Sequence, residues 1–282
     1  MNGTILVTGA TGNVGAEVIR GLLERGAKVR GATLAGDTRL PAGAESVLFD
    51  FEDPATFAAA LEGVDRVFLM RPPHMGDARA FEPFLAAMRE RGVRQVVFLS
   101  LLGVERNPVV PHHAIEKRLK ASGLGWTMLR PSFFMQNLST THLADIRERG
   151  EIVVPAGGGR TSFIDVRDIA AAAVVALTDD GHLGRAYALT GSEALTYDEC
   201  AAILTEVCDR PVRYTRVSSR AFARHMAALG HPGAFITVMR GIYLVARLRM
   251  AATITDELQV LIGREPTTFR QFAADNAVLL RG

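Results

Sequence analysis

Cysteine is almost absent from the 282 residues, with Cys200 and Cys208 the two that occur. Standing eight apart in a segment of helical spacing, they place their Cα atoms roughly 12 Å apart along the axis, beyond disulfide reach. A disulfide scaffold is excluded, and reduced, cytoplasmic chemistry is expected. Lysine is scarce too. Three lysines (Lys28, Lys117, Lys120) leave 29 arginines among 32 cations, and 30 carboxylates bring the formal charge to +2. No arginine run concentrates that small excess, so the arginines read as placed singly and a dedicated nucleic-acid binder is excluded. Long apolar runs are also missing. The longest, Ile169 to Leu177, falls far short of the roughly 20 residues a membrane-spanning helix needs, and Thr4 to Thr8 lacks the basic segment of a secretory leader. What is present is 48% hydrophobic and 22% charged residues, the balance of a soluble globular chain, either one large domain or a domain with a lobe.

Short β-rich runs alternate with longer helical patterns through the first half. Ile5-Leu6-Val7 reads as a buried strand, and Val14 to Leu23 repeats apolar residues at helical spacing until Gly26. Strands follow at Lys28 to Ala32, Ser46 to Phe49, Val67 to Met70, Gln95 to Ser100 and Trp126 to Arg130. Helices are expected from Asp53-Pro54, from Asp77 to Arg91, from His112 to Ala121 and from Asp168 to Leu177. Strands separated by helices imply right-handed βαβ units and a parallel sheet covered on both faces. The fold class is therefore α/β, a doubly wound parallel Rossmann sheet with a smaller, mostly helical C-terminal substrate lobe. The boundaries predicted are 1–150 for the dinucleotide-binding domain, continued by 160–190, and 191–282 for an interleaved lobe.

The sharpest local signal is Thr8-Gly9-Ala10-Thr11-Gly12-Asn13-Val14-Gly15, between the first strand and the first helix. The first glycine permits a tight turn, the second admits a pyrophosphate close to the backbone, and the third lets the helix pack on the strand. Free N–H groups and a partial positive charge at the helix start favour phosphate. The G-x-x-G-x-x-G order resembles the cofactor loop of atypical short-chain dehydrogenases, specifically the NmrA-like group that includes quinone and triphenylmethane dye reductases. Further stretches carry the same resemblance: DFEDPATFAAALEGVDRVFLM (50–70), SGLGWTMLRPSFFMQN (122–137), FIDVRDIA (163–170) and LTGSEALTYDECA (189–201). It spans nearly the whole chain.

The resemblance implies a nicotinamide dinucleotide held by Gly9, Thr11, Gly12, Asn13, Val14 and Gly15. In the family the second strand is followed by an arginine for the 2′-phosphate of NADP. Here Leu34 stands in that place, no acid replaces it, and Thr33 and Arg39 are the candidates for phosphate, so NADP(H) is favoured over NAD(H). Asp50 and Phe51 resemble the pair that brackets the adenine, and Met70, Arg71 and Pro72 the loop that flanks the nicotinamide ribose. Ser100 ends the fifth strand at the carboxyl edge of the sheet, where open α/β folds bind ligands.

Ordinary short-chain dehydrogenases use a tyrosine and a lysine four residues later for proton transfer. His113 and Lys117 have that spacing, but alignment on Glu116 puts Pro108 at the tyrosine position and His112 at the lysine position. The dyad is missing. His112, which titrates near neutrality when unperturbed, Lys117 and Ser100 are the candidate catalytic residues. Phe133, Phe134, Met135 and Asn137 align with the segment bordering nicotinamide and substrate, and their apolar character suits a flat aromatic ligand. Asp165 and Asp168 read as structural, with Asp168 capping its helix, and no metal site is expected. Met239 to Met250 reads as a lobe helix over the substrate pocket with its arginines solvated.

Three functions compete. The first is an NAD(P)H-dependent reductase of a quinone-like or other conjugated aromatic molecule. The second is a non-catalytic NADP(H)-sensing regulator that binds a partner protein. The third is a non-redox cyclase or dehydratase using His112. Expected partners are a small apolar or aromatic substrate, with no nucleic acid and no membrane, for a monomer or homodimer.

Overall fold

The computed structural model describes residues 3–34 and 40–281. Among them are twelve strands: β1 (Thr4–Val7), β2 (Lys28–Thr33), β3 (Glu45–Leu48), β4 (Val64–Met70), β5 (Gln95–Leu99), β6 (Gly125–Pro131), β7 (Phe133–Phe134), β8 (Glu151–Val154), β9 (Thr161–Ile164), β10 (Arg185–Leu189), β11 (Ala194–Leu195) and β12 (Arg213–Arg216). The chain divides into two compact units. One comprises Met1–Pro131, Val166–Leu189 and Val260–Gly263, the other Ser132–Asp165, Thr190–Gln259 and Arg264–Gly282. Residues 132–150 group with the second unit, because the chain beyond Pro131 pairs through β7 with β9 rather than extending the large sheet.

The first unit is built on a parallel sheet of seven strands in the order β10-β6-β5-β4-β1-β2-β3. The order reverses between β1 and β4, so the connections leaving these two strands diverge and open a crevice at their carboxyl ends. Being covered on both faces, the central strands read as unbroken apolar runs: Val67-Phe68-Leu69 and Val96-Val97-Phe98 are buried throughout. Helix Asn13–Glu24 turns Val14, Val18, Ile19 and Leu22 inward and packs on helix Val166–Thr178. That second helix carries Asp168 buried inside its first turn, beyond the cap position expected for it. Its C-terminal carbonyls are satisfied from the sheet: the Arg66 guanidinium donates to Leu177 O, and Gln95 Nε2 donates to Ala176 O at 3.0 Å.

Two of the expected helices are shorter. The Asp53 carboxylate accepts from Ala55 N at 3.1 Å, yet the helix it opens is one 3₁₀ turn (Pro54–Thr56) continued by Phe57–Ala60. Similarly, the segment from Asp77 forms a turn (Ala78–Phe81) and then helix Glu82–Glu90. In both cases the breaks deliver phenylalanines to one cluster, in which Phe49 lies 4.7 Å from Phe51 and from Phe84, and Phe51 lies 5.0 Å from Phe81. Burial of that aromatic surface outweighs helix propensity.

In the second unit β9 lies between β11 and β7, and β8 pairs with β12. Its core gathers Phe163, Tyr197, Phe222, Tyr243, Phe269 and Phe272. Helix Tyr197–Cys208 starts with a capping box, Thr196 Oγ1 accepting from Glu199 N at 3.2 Å and Glu199 Oε2 accepting from Thr196 N at 2.7 Å. Cys200 and Cys208 lie on this helix as buried free thiols, and burial pushes both thiols up and away from reactive thiolate.

Candidate cofactor site

The end of β1 is tied to β4 before the glycine turn begins: the Thr8 hydroxyl donates to Phe68 O at 3.1 Å and accepts from Met70 N at 2.8 Å. Gly9 then adopts φ +62°, a left-handed conformation that disfavours any side chain. Its open face is filled by Met70, whose methyl would lie 2.6 Å from a Cβ at Gly9. Gly12 N donates back to Gly9 O at 3.0 Å and serves as N-cap of helix Asn13–Glu24, with no side-chain cap and no acid in the first turn. Gly15 presses on the turn so closely that a Cβ there would stand 2.2 Å from Gly9 O.

The N–H groups of Asn13, Val14 and Gly15, and the side chains of Thr11 and Asn13, have no hydrogen-bond partner among the described residues. A helix start of this kind, with fixed donors, a positive dipole end and no competing carboxylate, fits a pyrophosphate.

The end of β2 is less open than its sequence suggests. Arg30 is buried, with Nη1 donating to Glu62 O at 2.7 Å and Nη2 to Glu45 Oε2 at 3.1 Å. Thr33 does not offer its hydroxyl to a phosphate as expected. It is buried and shares a hydrogen bond with Ser46 Oγ at 3.1 Å on the neighbouring strand β3. Leu34 is 63% exposed. Arg39 lies outside the described residues. Asp50 closes a turn, its carboxylate accepting from Glu52 N at 2.9 Å while its own N–H donates to Thr56 Oγ1 at 3.1 Å. The Phe51 ring is buried in the aromatic cluster against Phe49 and Phe81.

At the carboxyl end of β4 the Arg71 guanidinium folds back on its own loop, Nη1 donating to Pro72 O at 2.9 Å, Pro73 O at 3.0 Å and Met75 O at 2.8 Å. Its Nε is buried without a partner. Burial lowers the pKa of this guanidinium.

His112 stands in the first turn of helix Pro111–Ala121, stacked on Phe98 with ring centroids 5.9 Å apart and Nδ1 buried without a partner. Burial, reinforced by the Arg71 charge and opposed by Glu116, pushes its pKa down to about 4. The expectation of a group titrating near neutrality is thereby corrected: at pH 7 the imidazole is neutral. Pro108 is exposed and His113 Nδ1 donates to Val104 O at 2.9 Å. Lys117 points to solvent.

Ser100 is not a free nucleophile. Its hydroxyl donates to Glu116 Oε1 at 2.7 Å, and the same carboxylate accepts from Arg130 Nε at 3.0 Å and Nη2 at 2.7 Å. Burial would raise the Glu116 pKa, but the hydrogen bonds from Arg130 and Ser100 hold it below the usual carboxylate range. Sequence reasoning passed over Glu116 and Arg130 as partners. The one available signal was a carboxylate on the apolar side of helix Pro111–Ala121, between Ile115 and Leu119.

In the second unit Phe133, Phe134 and Asn137 are half-buried, whereas Met135 is 1% exposed within the core and presents no surface to a substrate. Among the described residues no cluster of metal-ligating side chains occurs, and no helix is long and apolar enough to cross a membrane.

Known proteins resemble this chain in sequence and in fold. The NmrA-like family model matches residues 1–272. The NAD(P)H azoreductase of Xenophilus azovorans is 36% identical over 281 residues, covering 97% of this chain and 98% of that protein. Quinone oxidoreductase 2 of Escherichia coli (strain K12) is 28% identical, covering 95% and 96%. The crystal structure of Citrobacter sp. triphenylmethane reductase complexed with NADP(H) aligns with a TM-score of 0.84 at 26% identity, covering 97% of this chain and 99% of that one.

Proposed function

The chain belongs to the NmrA-like family, and on that premise we propose that it is an NAD(P)H-dependent reductase of quinone-like or other conjugated aromatic molecules, with NADPH preferred to NADH. The observation that carries this reading is the uncapped, glycine-lined helix start at Gly12 to Gly15, whose free N–H groups suit a dinucleotide pyrophosphate. When bound, the nicotinamide supplies a hydride. Preference for NADPH is supported by Leu34, not an acid, standing directly after β2 where a carboxylate would grip a ribose 2′-hydroxyl, and by the NADP(H) bound in the Citrobacter relative.

The state of His112 narrows the acceptor. With Pro108 and a neutral His112 in place of tyrosine and lysine, neither of these two positions delivers a proton to a developing alkoxide at pH 7. An azo or quinone acceptor spreads the arriving charge over a conjugated system and takes its proton from water, and a cationic triphenylmethane acceptor is neutralised by the hydride itself and needs no proton. Neutral His112 also loses its role as the acid of a non-redox reaction. The remaining duty of this edge is positioning, for which the unpartnered Arg71 Nε and His112 Nδ1 are available as hydrogen-bonding groups.

The test is a panel of quinones and azo dyes with NADPH or NADH, followed by loss of the nicotinamide absorbance. Turnover faster with NADPH is expected. Tight NADPH binding with no turnover of any acceptor would overturn the reductase reading in favour of a redox-sensing regulator.

A further inference from the structure

Charge is not spread evenly along the chain. Between Arg210 and Thr255 there are eight arginines and no aspartate or glutamate, which leaves 24 cations against 30 carboxylates elsewhere. The second unit gathers part of this excess around a cup of about 490 Å³ formed by the loop Gly157-Gly158-Gly159, Ser218 at the start of helix Ser219–Ala228, and Arg216, Arg247 and Arg249. No carboxylate lines it.

The three arginines are held differently. Arg216 pairs with Asp198 and lies over the Tyr214 ring, 5.2 Å from its centroid, which fixes its direction. Arg247 and Arg249 have no hydrogen-bond or ion-pair partner among the described residues, whereas Arg213 of the same unit engages Glu151 and Arg160 engages Glu199. A helix C-terminus attracts cations, and that accounts for Arg247 at the end of helix Gly233–Arg247.

It does not account for Arg249. This residue closes the helix in the left-handed conformation, φ +61°, with Arg249 N bonded to Ala246 O and Met250 N to Val245 O. Glycine or asparagine suits such a position, and an arginine there works against its own backbone. The opposite wall is shaped by glycine for contact: a Cβ on Gly159 would lie 1.8 Å from Ala246 O, while Gly158 faces open space.

We infer that this cup binds a small organic phosphate, with Arg247 and Arg249 as charged donors and Arg216 as a third. More than one unneutralised guanidinium calls for more than one negative charge, and the open side of the cup at Gly158 leaves room for an organic group beside the charged one, so the ligand we assign is a phosphate ester. The inference does not depend on the proposed reductase activity, because its readout is binding. It also replaces the expectation that the arginines of Met239 to Met250 are simply solvated.

Calorimetric titration with phenyl phosphate at low ionic strength tests it, with and without saturating NADP. One-to-one binding is expected in both conditions. Arg247→Ala and Arg249→Gly should each weaken it roughly tenfold, the loss of one charge-assisted hydrogen bond, and Arg220→Ala, outside the cup, should leave it unchanged. Glycine suits the backbone at 249, so Arg249→Gly keeps the fold and any loss there belongs to the side chain. Absence of binding, unchanged affinity in Arg249→Gly, equal weakening in Arg220→Ala, or abolition by NADP would each overturn the inference. So would binding of phosphatidylserine vesicles without binding of phenyl phosphate.

Discussion

The two units place their buried charge and their free donors differently. In the first, charged groups enter the interior and are used up there: Arg30 on the carbonyls that end helix Phe57–Ala60, Arg66 on Leu177 O, and Glu116 between Ser100 and Arg130. What it leaves unsatisfied for a ligand is mainly backbone, the N–H groups at Gly12 to Gly15. In the second unit the aromatic core is neutral, and the buried carboxylates Asp145 and Glu151 beside it are paired with His225, Arg149 and Arg213. His142, fully buried, holds its Nε2 against the Tyr243 hydroxyl at 2.5 Å; burial pushes the imidazole down to about 4 and the Tyr243 and Tyr197 phenols up. Its unused charge is on the surface, at Arg247 and Arg249. A pyrophosphate wants a rigid array of dipoles, whereas a dianionic ester is best met by guanidinium forks, and each unit supplies one of the two.

Breaking the charge economy of the first unit should have the largest effect. Glu116→Gln removes the buried carboxylate that Ser100 and the half-buried Arg130 share and leaves Arg130 with Glu105, 3.3 Å from Nη1, at a cost of about 3 kcal/mol in urea unfolding; a change below 1 kcal/mol would show that the pair contributes little to stability. Gly15→Ala comes next, with about 2 kcal/mol lost to the collision with Gly9 O and NADPH binding, read by fluorescence titration, abolished. Wild-type affinity in that variant would remove the turn from the cofactor site.

For the second unit the lever is pH. His142 binds its proton at about 4 when folded and near 6.5 when unfolded, so its contribution to stability is complete above pH 6.5 and is lost as pH falls toward 4. Between pH 7 and pH 5 that contribution shrinks by roughly 1.8 kcal/mol. Unfolding of wild type and His142→Phe at both pH values isolates it, and equal pH dependence in the two would refute the assignment. The smallest effect belongs to Thr33→Ala: because the hydroxyl faces Ser46, NADPH affinity should change less than about twofold, well under one hydrogen bond. A tenfold loss would mean that the hydroxyl turns toward the cofactor after all.

Much of the first unit is legible in sequence because its signals are short-range. Strand and helix alternation located six of the seven strands of the parallel sheet, with ends shifted by one to three residues, and missed β10 (Arg185–Leu189), which reaches the sheet only through its pairing with β6. The segments from Asp53 and Asp77 misled, since their caps are genuine but the pull of Phe57, Phe81 and Phe84 into a shared cluster sets where the helices begin. Among the site residues, Gly9, Gly12 and Gly15 stand as their spacing implies. The side chains of Thr33, Phe51, Ser100 and Met135 are engaged by partners that their own segments do not announce: Ser46, Phe81, Glu116 and the core around Phe163.

The sequence alone determined the parallel α/β sheet, the separation that keeps Cys200 and Cys208 from pairing, the loss of the Tyr/Lys dyad and the glycine turn at Gly9 to Gly15. Each of these is written within a few turns of chain, where backbone geometry, residue size and spacing decide the outcome. Tertiary structure alone decided which polar side chains are free. It neutralised His112 by burial beside Arg71, bound Ser100 to a buried ion pair, and brought residues 157–159, 216–218 and 247–249 to one cup. A side chain's protonation and its partners depend on groups distant in sequence, and only folding fixes those distances.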